Sequence, residues 1–169
     1  AQAQVERDRA HGQQQEQGCG HEGAGHPAVA TNLGQALTDV AGEAGSERAV
    51  ADRVTAYLDA LGLAWDEDAA GSAVGSTMGN ILCRLPGRLE AGTPLLLCAH
   101  LDTVPPTGPI EPVVADGVVR NAGGTILGAD DKAAVAVMLE AARRILADGL
   151  PHAGVELLFT PKEEVGLLG

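Results

Sequence analysis

The chain is 169 residues long with 45% hydrophobic residues, enough for one domain with a real core, and its 2% aromatic content leaves that core to Leu, Val, Ile and Ala. A formal net charge of −12 argues against nucleic acid or an anionic membrane as partner, because both need clustered Lys and Arg. No apolar run approaches the ~20 residues that cross a bilayer, and no basic start leads into an apolar signal segment, so a soluble cytoplasmic protein is the default expectation.

Residues 1–30 are rich in Gln, Gly and His and poor in large apolar side chains, which predicts a disordered tail. Cys19, His21 and His26 lie there at spacings that match no standard zinc module. Cys83 and Cys98 sit in apolar, strand-like runs and are expected to be buried free thiols. The chain starts at Ala1 rather than Met and stops at Gly169 directly after a motif, so both ends are expected to be cut.

From residue 33 to 41 a short helix is expected, with Leu33, Leu37 and Val40 on one face. Ser46 is the predicted N-cap of a second helix running to Leu61 and ended by Gly62. Its Val50, Val54, Tyr57, Leu58 and Leu61 recur at spacings of three and four and form one apolar stripe. Residues 66–76 read as loop or weak strand. TMGNILCRLPG reads as a strand ending at Pro86-Gly87, followed after a turn by Leu95–Ala99. The continuous apolarity of Leu95–Ala99 predicts a central strand covered on both faces. Thr103–Pro112 is expected to be an irregular loop, and VVADGVVR a hairpin turning at Asp116-Gly117. A helix over about 132–147 buries Val135, Met138, Leu139, Ala142 and Leu146, and Gly149 and Pro151 stop it. The strand Gly154–Thr160 then leads to Lys162-Glu163-Glu164. Strand, hairpin, helix, strand predicts an α/β fold with helices packed on a largely open sheet.

Three pairs of polar residues carry the chemistry. His100 and Asp102 stand two apart at a strand end, where i and i+2 face one side, so Asp102 can orient a ligating His100; a surface His beside a capping Asp is the bland alternative. Asp130-Asp131 opens a helix, where capping and the helix dipole explain one aspartate and leave the other free to bind metal. Lys132 is expected to neutralise part of this charge. Glu163-Glu164 follows an apolar strand, and metal-assisted hydrolysis needs a ligand and a separate base, duties two adjacent glutamates can divide. A solvated acidic loop is the alternative there.

LLLCAHLDTVP, TILGADDKAAVA and FTPKEEVGLLG, in this order and at these separations, resemble the di-zinc metallopeptidase family of peptidase T, glutamate-releasing carboxypeptidases and aminoacylases. The likeness covers about residues 40–169 and is nearest to the peptidase-T-like branch. It implies a three-layer α/β/α catalytic domain over residues 31–169 with a mixed, mostly open sheet that is incomplete at its C-terminus, preceded by the tail 1–30. It implies His100 as ligand to one zinc, Asp102 as its orienting partner, Asp130 as a bridge between two zincs through a cis bond to Asp131, Glu163 as general base and acid, and Glu164 as ligand to the other zinc. Co2+ or Mn2+ would be substitutes. The implied reaction is hydrolysis of an amide bond in short peptides from the amino end, as by a peptidase-T-like aminopeptidase; an N-acyl-amino-acid deacylase, a carboxypeptidase and an inactive scaffold are the competing readings. Family members carry a later acidic ligand, a later histidine ligand and a lid domain that often mediates dimerisation, so homodimerisation and full activity are expected of a longer chain rather than of these residues alone.

Overall fold

The computed structural model describes residues 33–169 apart from 35, 41, 107 and 108. The predicted tail, with Cys19, His21 and His26, lies outside the described residues. Residues 33, 34 and 36–38 are helical, with Leu37 buried and Leu33 and Val40 packed against the core.

The next elements follow the apolar spacing. Helix α1 spans Arg48–Ala60 and buries Val50, Val54 and Leu58, with Tyr57 and Leu61 partly covered. Gly62 ends it at φ 71°, a left-handed conformation that costs glycine little. The start differs from expectation. Glu47 rather than Ser46 is the N-cap and makes no side-chain cap bond. Its buried carboxylate instead accepts the Gly45 N–H and, at 2.7 Å, the Ser76 hydroxyl, so a tertiary anchor sets the first turn.

Residues 66–76 are more ordered than their weak pattern indicated. Strand β1 (Trp65–Glu67) and helix α2 (Ala70–Val74) lie there. Asp68 organises them: its Oδ1 accepts the N–H groups of Ala70 (2.9 Å) and Asn80 (2.8 Å) and its Oδ2 accepts from Asn80 Nδ2 (3.0 Å), and the Ala70 bond and then the Asn80 side-chain bond hold its carboxyl below the usual range against burial. Gly79 fits because a Cβ there would lie 2.0 Å from the Asp68 carbonyl oxygen.

Strands β2 (Ile81–Pro86), β3 (Leu95–His100) and β6 (Gly154–Thr160) complete a mixed, open sheet with the order β1-β2-β6-β3. β1 and β6 both pair antiparallel with β2, and β3 runs parallel to β6. Alternate residues Ile81, Cys83 and Leu85 of β2, and Val155, Leu157 and Phe159 of β6, are buried on one face. Helix α3 (Ala129–Asp148) covers that face with α1, contributing Val135, Met138, Leu139 and Ala142 to the same cluster, with Leu146 partly buried. The hairpin β4 (Pro112–Ala115) and β5 (Val118–Asn121) forms a separate two-stranded sheet, turning at Asp116 (φ 52°) and Gly117 (φ 74°) as their types require.

β3 corrects one expectation. Among the described residues it is an edge strand with β6 as its neighbour, and Leu95 and Leu96 are more than half exposed. Cys98, on the same open face as Leu96, is exposed rather than buried, whereas Cys83 is buried as expected; both are free thiols. Continuous apolarity reports that both faces of a strand are apolar, not that another element lies against each.

Candidate functional site

The parallel pairing of β3 and β6 sets His100 opposite Thr160, so both strands release the chain at the same sheet end, where open α/β sheets build their sites. Leu101, fully buried, continues the pairing one step by donating its N–H to the Thr160 carbonyl at 2.8 Å. Thr103 donates its N–H to Gly42 O at 2.8 Å. A Cβ on Gly42 would meet Val50 Cγ2 at 2.7 Å and the Leu101 oxygen at 3.0 Å, so the glycine permits this close crossing. The stretch 100–103 is thereby fixed on both sides.

Asp102 is the buried centre of the site. Its Oδ1 accepts the Glu163 N–H at 2.9 Å and its Oδ2 the Glu164 N–H at 3.0 Å. The His100 ring lies beside it, with Nδ1 2.9 Å from the Asp102 carbonyl oxygen and 3.3 Å from Oδ1. A carbonyl oxygen only accepts, so Nδ1 carries the proton in this contact and Nε2 is the nitrogen turned to the cleft. The sequence pattern pointed to the carboxylate as the partner of His100; the backbone carbonyl is the nearer acceptor, and the carboxylate holds the two glutamate N–H groups.

Nε2 of His100 lies 3.5 Å from Asp130 Oδ1 and 3.8 Å from Glu163 Oε2. His100, Asp130 and Glu164 each offer a ligand atom within 4.8 Å of the others. The Asp130-Asp131 bond is cis, and both residues depart from helical angles before α3 becomes regular at Lys132. The two side chains part company. Asp130 is 87% exposed and faces the cleft. Asp131 turns inward: burial raises its carboxyl above the usual range, the His100 charge opposes this, Asp130 adds to it, and the N–H groups of Ala134 and His100 lower it. One aspartate thus serves the helix start and the end of β3, and the other is left for the site.

Two lysines flank these acids in ways their positions in the chain did not reveal. Lys132 is fully buried, donates to the Val40 carbonyl, and is lowered to about 8 by burial. Among the described residues no carboxylate pairs with it, so it braces the helix start and does not neutralise Asp130-Asp131 as expected. Lys162 adopts φ 56° and donates from Nζ to Val74 O, the last residue of α2, at 3.0 Å. It directly precedes Glu163, so the glutamate turn is held from one side by α2 and from the other by Asp102. No local pattern signals a tether across 88 residues.

The donor set of one imidazole and two carboxylates fits a divalent cation of the zinc class. The two carboxylates balance its charge, and the bond at Nδ1 holds the ring.

The sequence profile of Peptidase family M28 matches residues 80–169. The uncharacterized protein YqjE of Bacillus subtilis is 39% identical over 109 residues, 64% of this chain and 29% of YqjE. Peptidase T of Serratia proteamaculans is 45% identical over 49 residues, 29% of this chain and 12% of that enzyme. The crystal structure of a tripeptidase from Staphylococcus aureus superposes with a TM-score of 0.78 at 33% identity, covering 85% of this chain and 38% of the tripeptidase. The chain therefore spans well under half the length of these relatives. A match over more than half of the chain, with the donor cluster inside it, places the protein in Peptidase family M28.

Proposed function

We propose that this chain provides part of the catalytic site of a zinc-dependent aminopeptidase that hydrolyses short peptides. The observation that carries the reading is the convergence of His100 Nε2, Asp130 and Glu164 with the Glu163 carboxylate beside them. His100, Asp130 and Glu164 would hold zinc, with Asp130 offering two oxygens to share between two ions. Zinc bound there supplies Lewis acidity toward water and toward an amide carbonyl.

The rest of the chemistry belongs to side chains of this protein. Glu163 accepts a proton from the attacking water and returns one to the leaving amine nitrogen. Its side chain is 40% exposed, open enough to reach substrate, while its backbone is fixed by Asp102. Asp102 acts as a positioning residue, setting the His100 ring and both glutamates at once. The similarity to peptidase T and to the tripeptidase supports short peptides as substrates. Two zinc ions need more donors than the three clustered among the described residues. Activity therefore belongs to the natural full-length polypeptide, in which a homodimer is also proposed. Nothing in the described residues spans a membrane by a long apolar helix.

The test is tripeptide hydrolysis by the full-length polypeptide, before and after chelation and with zinc returned. Zinc-restored release of the amino-terminal residue is expected. Cleavage only of N-acyl amino acids, or only from the carboxyl end, would move the protein to a deacylase or carboxypeptidase reading. No hydrolysis with zinc fully loaded would leave the scaffold reading.

A further inference from the structure

Lys162 is held at φ 56°, a left-handed conformation that glycine adopts freely and a residue with a Cβ adopts at a cost. Strain of this kind persists where the surroundings over-determine it, and it gathers at functional sites. Here it stands one residue before Glu163. What a lysine offers at this position and a glycine does not is the ammonium, which donates to the Val74 carbonyl at 3.0 Å. Val74 ends α2, where helix carbonyls lack an intrahelical donor and a lysine can supply one.

We propose that Lys162 is a positioning residue for Glu163, holding the base where it meets the attacking water. The proposal rests on the hydrolytic reading above and adds to it the residue that sets the base. The peptide plane between Lys162 and Glu163 carries the N–H given to Asp102 at 2.9 Å and the carbonyl that accepts the Leu168 N–H at 3.1 Å. The backbone angles of Lys162 set the tilt of that plane, and with it the point from which the Glu163 side chain starts. Glu164 lies one peptide plane farther on, and its N–H has its own acceptor in Asp102 Oδ2 at 3.0 Å. The lysine therefore acts on the base more than on the metal donor. Among the described residues its ammonium pairs with no carboxylate, so its removal takes no charge partner from Asp130 or Glu164.

The footing under Lys162 is built from several bonds and shared with Asp102. Gly75 (φ 70°) turns the chain out of α2, and Ser76 donates its hydroxyl to the buried Glu47 carboxylate at 2.7 Å. The Ser76 hydroxyl oxygen also accepts the Met78 N–H at 3.1 Å. Gly79 donates its N–H to Glu67 at 2.8 Å, and Glu67 in turn accepts from Arg48 Nη1 at 3.0 Å. The stretch 42–47, which holds Ser76 through Glu47, also gives the Gly42 carbonyl to the Thr103 N–H, next to Asp102. Both arms that reach the glutamate turn thus start from one short segment.

The experiment compares Lys162→Gly and Lys162→Arg with the parent in the zinc-loaded full-length polypeptide, with trialanine as substrate. Lys162→Gly loses the bond to Val74 and sheds the Cβ cost, so its melting temperature should stay near the parent's. Its kcat should fall about tenfold to a hundredfold, the scale of a misplaced reacting group, with KM and zinc content unchanged. Lys162→Arg keeps a donor for Val74 and should recover most of the loss. In a Glu163→Gln background Lys162→Gly should cost nothing further, because residues that act as one unit are not additive. In the metal-free polypeptide, hydrogen exchange should quicken at the Glu163 amide of Lys162→Gly and stay slow in β6. An unchanged kcat, a kcat loss matched by zinc loss, the same factor lost again beside Glu163→Gln, or no recovery with Lys162→Arg would overturn the proposal. Each of these leaves the hydrolytic reading standing, since the parent still cleaves. A parent that cleaves no peptide while Glu163 exchange quickens in Lys162→Gly would sink the hydrolytic reading and keep the tether. No cleavage together with unchanged exchange would sink both.

Discussion

Asp102 and Glu163, 61 residues apart, are joined by a 2.9 Å bond from the Glu163 N–H to a carboxylate oxygen that is wholly buried. The second oxygen does the same for Glu164, and the Asp102 carbonyl accepts from His100. One residue therefore ties the end of β3 to the turn after β6, and a change there reaches the histidine and both glutamates together.

Asp102→Asn tests that junction. An amide offers one acceptor oxygen, so one glutamate N–H keeps its partner while the other faces an NH2 donor. Leaving a buried donor unpaired costs about 1–3 kcal/mol. Urea unfolding should show a loss of that order, and hydrogen exchange should accelerate at Glu163 or Glu164 more than in β2. Unchanged exchange at both glutamates would mean that the turn holds itself.

Lys162 carries two effects of opposite sign. Its φ of 56° disfavours any residue with a Cβ by roughly 1–2 kcal/mol relative to glycine, and its bond to Val74 O stabilises the turn. Lys162→Ala loses the bond and keeps the backbone penalty. Lys162→Gly loses the same bond and relieves the penalty. Thermal melts should rank Lys162→Gly above Lys162→Ala, and an equal drop for both would show that the left-handed conformation contributes nothing.

Glu140 on α3 accepts from Arg143 Nε at 2.7 Å and Nη2 at 2.8 Å. The Arg143 bonds lower its carboxyl below the ordinary 4.5, opposed by burial and aided by the Arg143 and Arg144 charges. A lowered folded-state value means stability that is present above the unfolded value and lost as pH falls through the folded one. Glu140 is buried but Arg143 is 30% exposed, so solvent screens the pair and its worth at pH 7 is roughly 1 kcal/mol or less. Glu140→Gln should cost that much at pH 7, and the gap between the two proteins should shrink at pH 3. A gap that persists at pH 3 would place the effect in packing instead.

The parts legible in the sequence were those set by short-range physics. Apolar spacing located α1 and α3, Asp116-Gly117 located the hairpin turn, and Asp130 stood at a helix start. The cis Asp130-Asp131 bond followed from the resemblance alone. What the sequence hid depends on neighbours far along the chain. Ser46 looked like an N-cap, but the bond from Ser76 to Glu47 moved the helix start. Lys132 looked like a charge partner and is buried against Val40. The apolar run of β3 could not report which strands flank it. A cleft beside Asp130 draws on residues 103–104 and 126–130, stretches that read as loops and show no periodicity to connect them.

Under the proposed function the two glutamates would divide the chemistry, and paired substitutions in the full-length polypeptide test that division. Glu163 lies 3.8 Å from His100 Nε2 but outside the three-residue donor group, whereas Glu164 belongs to it. Glu163→Gln keeps size and polarity and cannot accept a proton. General base catalysis is worth about 10² to 10⁴-fold, so turnover should fall that far while zinc content stays near that of the parent. Glu164→Gln replaces a carboxylate donor with a neutral amide. Zinc should be bound loosely or lost, and added zinc should restore part of the activity. Both backbones remain tied to Asp102, so neither change should disturb the turn. A solvated acidic loop would make both substitutions nearly silent, since surface changes usually stay within about 0.5 kcal/mol. Zinc lost from Glu163→Gln and kept in Glu164→Gln would exchange the two roles, and full activity in both would place the site elsewhere.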